Sequence, residues 1–175
     1  PDVVSYTFFI ENPGSLEKRL NGTCLNVKYI WPKQLDQRQY ALTTLFEYMM
    51  INQDWSVSLL HNLEIFADKS TYKRIPIPFD FDMCGIIAIP YKSPTVPFKK
   101  GVKPERNYMG KDLAKDMVIA AIDTLRAHKN EIIKVFNTSP LLTPANRKNI
   151  IGHLTDFYDY TGNMEFVKKA LLGQN

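Results

Sequence analysis

The chain has 175 residues, a length that suits one domain and buries roughly 70% of the surface an unfolded chain exposes. At 45% hydrophobic and 23% charged it has an ordinary globular composition, and no run approaches the ~20 apolar residues of a membrane span. A net charge of +4, from 22 basic and 18 acidic residues, does not call for a nucleic-acid partner. The only cysteines, Cys24 and Cys84, make neither a disulfide framework nor a zinc set. The first residue is Pro1, with no basic-then-apolar leader after it, so the chain reads as a processed product or a fragment of something longer.

Residues 3–10 are β-branched and aromatic and predict a strand, stopped by Asn12, Pro13 and Gly14. Ser15 is placed to cap a short helix running to Leu20, which Asn21 and Gly22 end. A short extended piece over 25–31 is closed by Pro32. The strongest helix signal covers 35–51, where Leu42, Leu45, Phe46, Met49 and Met50 recur at the spacing of one buried face. Residues 63–66 and 74–77 predict two short strands joined by a polar turn at 68–71. The proline-bearing, basic stretch 90–110 reads as a long loop. The last third is helical: Leu113, Met117, Ala120, Ala121, Leu125, His128 and Ile132 trace one stripe. Ile150, Leu154, Phe157 and Tyr158 trace another, after a start signal at Thr143 and Pro144.

Three constellations carry candidate chemistry. Asp80 and Asp82 follow an apolar run just before Gly85, and strand alternation would point both carboxylates to one side and Phe79 and Phe81 to the other. Pro76 and Pro78 cannot donate to a sheet ladder, so this is an edge or strand end. Paired carboxylates of this kind suit a hard cation such as Mg²⁺. Upstream, Asp54 sits in a polar turn after the long helix, and Asn62 follows eight positions later at a strand start. Phosphoryl-transfer sites use an aspartate to orient the attacking hydroxyl, and an asparagine and a second aspartate to hold Mg²⁺. Asp54, Asn62 and one of Asp80 or Asp82 supply those types in that order, although Asp and Asn are also ordinary turn and cap residues. The third constellation is Lys92, Lys99, Lys100, Lys103, Arg106 and Lys111, which reads either as an attractor for a phosphate-bearing substrate or as a solvated loop. Of the histidines, His61 suits a structural hydrogen bond, His128 falls on an apolar stripe and reads as a satisfied core histidine, and His153 has no evident partner.

Taken in order, Tyr6 to Glu11, Leu16 to Arg19, Phe46 to Ser56, His61 with Asn62, Ile77 to Gly85, Pro90 with Tyr91, and Arg106 to Gly110 form a series. The series resembles the later part of an uncharacterised bacterial family marked by an Asn-x-Asp-Trp-Ser turn and a Pro-Tyr-Asp-Phe-Asp motif. Members of that family look exported and carry a longer upstream half, which implies a periplasmic or secreted protein. The family in turn is distantly similar to atypical kinases of the spore-coat type. Under that resemblance Phe8 to Glu11 corresponds to the hinge strand between lobes, with Glu11 toward the nucleotide. The Asp54 turn corresponds to the catalytic loop, and Asp80 to Asp82 to the metal-binding Asp-Phe-Gly segment.

The sequence departs from the kinase pattern at two points. Kinases place the asparagine five residues after the catalytic aspartate, and here Asn62 lies eight after Asp54; Asp82 also replaces the glycine of the metal segment. The glycine-rich loop and phosphate-pairing lysine of an upstream lobe do not occur in these residues.

The resulting expectation is an α+β, mainly helical domain resembling a kinase C-terminal lobe, with its core over about 6–110 and a helical tail over 111–175. The expected activity is a Mg²⁺- and ATP-dependent phosphotransferase, or a degenerate relative. Asp54 would be catalytic, Glu11 and Asn62 would bind the cofactor, and Asn62, Asp80 and Asp82 would hold the metal. The partners are an unidentified phosphate acceptor and an N-terminal lobe of the same protein. The alternative is a non-catalytic binding or envelope-associated protein on the same scaffold.

Overall fold

A computed structural model describes residues 10–87 and 105–173. All of the predicted strand over 3–10 except Ile10, most of the loop over 90–110, and the lysines at 92, 99, 100 and 103 lie outside the described residues. What is described is α+β, mainly helical, with one small antiparallel sheet.

Helix α1 (Pro13–Leu20) starts three residues earlier than the sequence suggests. Asn12 is the cap, its Oδ1 accepting from Ser15 N–H at 2.9 Å, and Pro13 opens the first turn, where a missing N–H costs nothing. Asn21 ends the helix at φ 54°, a left-handed conformation that asparagine tolerates. Strand β1 (Gly22–Cys24) follows directly, upstream of the extended piece expected at 25–31. Gly22 is required there, because a Cβ at this position would stand 2.0 Å from the Phe66 ring.

Helix α2 (Gln37–Met49) lies inside the expected limits, capped by Asp36, whose carboxylate accepts from Gln39 N–H and pairs with Lys73 at 2.8 Å. It is buried on more than the one predicted face. Leu45 and Met49 are fully enclosed as expected, but so are Tyr40, Thr44 and Glu47. Strands β2 (Leu63–Asp68) and β3 (Arg74–Pro78) form the expected hairpin, and the sheet order is β1-β2-β3. The register sets Leu63 opposite Pro78 and Ala67 opposite Arg74. Among the described residues β3 is an edge strand, as its prolines favour.

Helices α3 (Lys115–Ala127), α4 (Lys129–Thr138) and α5 (Pro144–Gly162) make the tail, closed by a short α6 (Met164–Phe166) running into a π turn. Thr143 caps α5 and Pro144 opens it, as the start signal indicates. His128 corrects the sequence reading. It is the junction between α3 and α4, its side chain is 64% exposed, and it faces Glu131 at 3.5 Å rather than the core.

Burial divides into two clusters that share α2. Leu45, Tyr48 and Met49 pack with α3, α5 and the segment at Cys84 and Ile86. Tyr40 packs on the other side with Trp55, Val57, Leu63 and Ile65 under the sheet. No helix among the described residues is long and apolar enough to cross a membrane.

Candidate functional site

The site is built where α2 stops. Met50 caps the helix, and Ile51 then takes φ 55°, a conformation a β-branched residue adopts only when its surroundings enforce it. Two bonds do so: Asn52 N–H donates to Glu47 O at 2.9 Å, and Gly85 N–H donates to Ile51 O at 3.0 Å. Of the seven non-glycine residues with positive φ among those described, four belong to this corner: Ile51, Leu60, Asn62 and Asp80. Such clustering is typical of functional sites.

Asn52 is buried, and its amide works in two directions. Nδ2 donates to Glu47 Oε2 at 2.9 Å, while Oδ1 accepts the Asp54 N–H at 3.0 Å, closing an Asx turn. The chain then makes a tight loop, held by reciprocal bonds at 3.0 Å between Ser56 and His61. This loop folds Asn62 back onto Asp54. The Asn62 Nδ2 donates to Asp54 O at 2.7 Å and reaches Asp54 Oδ2 at 3.3 Å. His61 Nε2 lies 3.1 Å from Asp54 Oδ1, so the predicted structural hydrogen bond of His61 goes to the candidate catalytic carboxylate. The Asp54 side chain remains 18% exposed and that of His61 55% exposed, so the carboxylate reaches solvent at the mouth of the turn.

The eight-residue spacing between Asp54 and Asn62 therefore does not separate them. The three extra residues go into the loop over 56–61, and the left-handed conformations at Leu60 and Asn62 turn the chain back. Among the described residues nothing donates a hydrogen bond to Asn62 Oδ1.

The aspartate segment arrives from the other side. β3 ends at Pro78, and the last tie of the hairpin is Phe79 N–H to Asn62 O at 3.1 Å. Asp80 comes one residue later, at φ 57°. The strand alternation expected for Asp80 and Asp82 is thus not realised, because the ladder ends two residues earlier and the chain turns. Phe79 borders a surface cavity, while Phe81 packs edge-on against Phe46 at 5.6 Å. Beyond the turn that holds Asp82, Gly85 and Ile86 donate to Ile51 O and Met50 O at 3.0 and 3.3 Å. The segment from Phe79 to Ile86 is consequently pinned at one end to Asn62 and at the other to the turn before Asp54. Hydrogen bonds join Asp54 and Asn62 directly, and chain pairing brings the aspartate segment beside them.

Glu11 is not part of this bonded group. Its carboxylate is gripped by Arg19 through Nε at 3.0 Å and Nη2 at 2.6 Å, which holds it below the usual carboxylate range. Glu11 and Arg19 border a cavity of about 420 Å³ whose other walls include Leu16, Glu64, Ile77, Pro78 and Phe79. That cavity and the Asp54 corner meet at the end of β3.

Arg106 takes a different role from the one its charge suggests. Its guanidinium donates to the carbonyls of Tyr48, Met49 and His153 at 2.6, 2.7 and 2.5 Å and lies over the Tyr48 and Phe157 rings. It closes the C-terminal end of α2 and ties it to α5. His153, which has no evident partner in the sequence, supplies one of these carbonyls.

The residue that sequence reasoning passed over is Glu47. It is only 1% exposed, its Oε1 has no hydrogen-bond partner, and burial pushes its carboxyl up to about 7, with the Asn52 bond opposing the rise. The signal was present: a glutamate set among Phe46, Tyr48, Met49 and Met50 on the helix leading into the site.

Among the described residues no three His, Cys, Asp or Glu side chains gather as a metal-binding group. Comparison of the chain with protein-family models, curated proteins and solved structures finds no match.

Proposed function

We propose that the Asp54, Asn62 and Asp80 corner is the metal and acceptor side of a Mg²⁺-dependent, ATP-using phosphotransferase of the atypical-kinase type. The single observation that carries this reading is the posture of Asn62. Its nitrogen is committed to Asp54, at 2.7 Å to the carbonyl and 3.3 Å to the carboxylate. An amide committed through nitrogen presents its oxygen, and an amide oxygen that no described residue donates to is a ligand a hard cation takes. In this reading Asn62 and Asp80, with Asp82 as an additional carboxylate, would be the oxygen ligands of Mg²⁺. Bound there, the ion would neutralise phosphate charge.

The chain's own residues account for the acceptor side. A carboxylate offers about four lone-pair positions. His61 and Asn62 address one oxygen each, leaving Asp54 able to receive the proton of an attacking hydroxyl. These contacts also fix the rotamer of Asp54, so orientation is set before an acceptor arrives. The cavity between Glu11 and Phe79, lined by Leu16, Ile77 and Pro78, is the place for the apolar face of a nucleotide base. A glycine-rich turn and a phosphate-pairing lysine would come from a separate N-terminal lobe of the same protein.

Titration calorimetry with Mg²⁺-ATP tests the assignment. Weak binding is expected from the chain itself, abolished by Asp80→Ala and much less affected by Asp54→Ala, which acts on the acceptor rather than the ion. Tight binding that survives Asp80→Ala would place the nucleotide elsewhere and end this reading.

A further inference from the structure

We infer that Glu47 is a positioning residue for Asp54, acting through the side-chain amide of Asn52. The inference deepens the reading of Asp54 as the acceptor-side carboxylate and rests on it.

The geometry is directional. Asn52 Nδ2 donates to Glu47 Oε2 at 2.9 Å, and Oδ1 accepts from Asp54 N–H at 3.0 Å. A flipped amide would set Oδ1 against a carboxylate oxygen and Nδ2 against an N–H, two repulsive contacts in a buried space. The acceptor oxygen at 47 and the N–H of Asp54 together hold the amide in this orientation, which links Glu47 to where Asp54 begins. A main-chain bond from Asn52 N–H to Glu47 O at 2.9 Å holds the same two residues in register. The chain of command runs from α2 to Glu47, to Asn52, to the Asp54 backbone, and ends at the carboxylate that His61 and Asn62 clamp.

Energetics give the second, independent support. Glu47 is only 1% exposed and lies near Cys84, with one oxygen unpartnered. For stability alone, an apolar residue of similar volume would serve better at such a position. A carboxylate that penalises folding yet orients the residue ahead of the site is explained by positioning.

The relay makes a test by polarity reversal possible. Asn52→Asp keeps the acceptor for Asp54 N–H but loses the donor and sets two carboxylates face to face. Glu47→Gln in that background restores a donor, now pointing from 47 to 52. Glu47→Gln alone keeps an acceptor for Asn52 Nδ2. The readout is amide hydrogen exchange, comparing Asp54 N–H with Ser56 N–H, which donates to His61 O in the same turn and does not depend on Glu47.

Asn52→Asp is expected to lower Asp54 protection about tenfold relative to Ser56, the double variant to restore it, and Glu47→Gln alone to leave it within about twofold. Parallel loss at both amides, or no rescue in the double variant, would overturn the inference. If Asn52→Asp does not fold, the double variant decides: folded with Asp54 protected supports the relay, and unfolded refutes it. Exchange at Asp54 is independent of nucleotide, so a working relay in a chain that ignores Mg²⁺-ATP would discard the phosphotransferase reading and keep the positioning role.

Discussion

Replacing Glu47 by glutamine should stabilise the protein above neutral pH and leave it nearly unchanged in acid. The folded carboxyl titrates at about 7, against an ordinary value of 4.5. Below pH 4.5 the group is neutral both folded and unfolded, so burial carries no ionisation penalty. Between 4.5 and 7 the unfolded chain releases the proton while the folded chain keeps it, and stability falls as pH rises. Above 7 the full penalty is present. At 1.36 kcal/mol per pH unit, a gap of roughly 2.5 units amounts to about 3 kcal/mol, a large share of a domain's net stability. Glutamine does not titrate, so its variant should gain on the wild type progressively across that window. Any fixed cost of its unpaired amide shifts all pH values equally and does not alter the slope. Urea unfolding of both proteins from about pH 4 to 8 measures the difference directly. A difference that stays flat, or grows toward acid, would mean that the buried carboxylate is not held neutral, and the reasoning would fail.

Other outcomes follow from contacts already described. Arg106→Met should cost about 3 kcal/mol in chemical denaturation, because the carbonyls of Tyr48, Met49 and His153 lose their common donor at the end of α2; a loss under about 1 kcal/mol would show that water replaces the guanidinium. Asp68, whose Oδ1 accepts from the amides and hydroxyls of Ser70 and Thr71, has its carboxyl drawn down to about 2. NMR titration should therefore find it ionised at pH 3, with its support of the β2–β3 turn lost only as pH falls from about 3.8 through 2; an ordinary midpoint would refute the turn geometry.

Much of the architecture was legible because periodicity and stop signals act locally. The apolar spacing of α2, the hairpin of β2 and β3 and the Thr143 start of α5 all depend on neighbours within a few residues. Partners distant in sequence were harder to read. His128 sat on an apolar stripe, yet α3 ends there and exposes it. Asp80 and Asp82 followed a strand, yet a left-handed residue ended the alternation, and nothing in an aspartate's identity announces that turn. At the site, residue types placed Asp54 and Asn62 as candidates, and the tight loop between them, invisible to spacing rules, made them neighbours. Glu47 was hidden by the stripe around it, since a periodicity argument discards a charge in an apolar run as noise. Arg106 was grouped by its charge with the loop lysines, as a phosphate attractor or part of a solvated loop, whereas helix-end carbonyls claimed it.

The division of burial into two clusters with α2 between them has a dynamic consequence. Asp54 hangs from the end of α2 beside the sheet-side cluster of Trp55, Val57 and Leu63, while the aspartate segment is anchored at Cys84 and Ile86 in the helix-side cluster. The candidate site therefore straddles a seam between two packing units. If the helical unit loosens by partial opening, the Gly85 and Ile86 ties are released, and the far end of the aspartate segment parts from the turn before Asp54 while Phe79 stays tied to Asn62 in the hairpin. Any partner that clamps α3 or α5 against α2 would raise the fraction of molecules in which both halves of the segment are held.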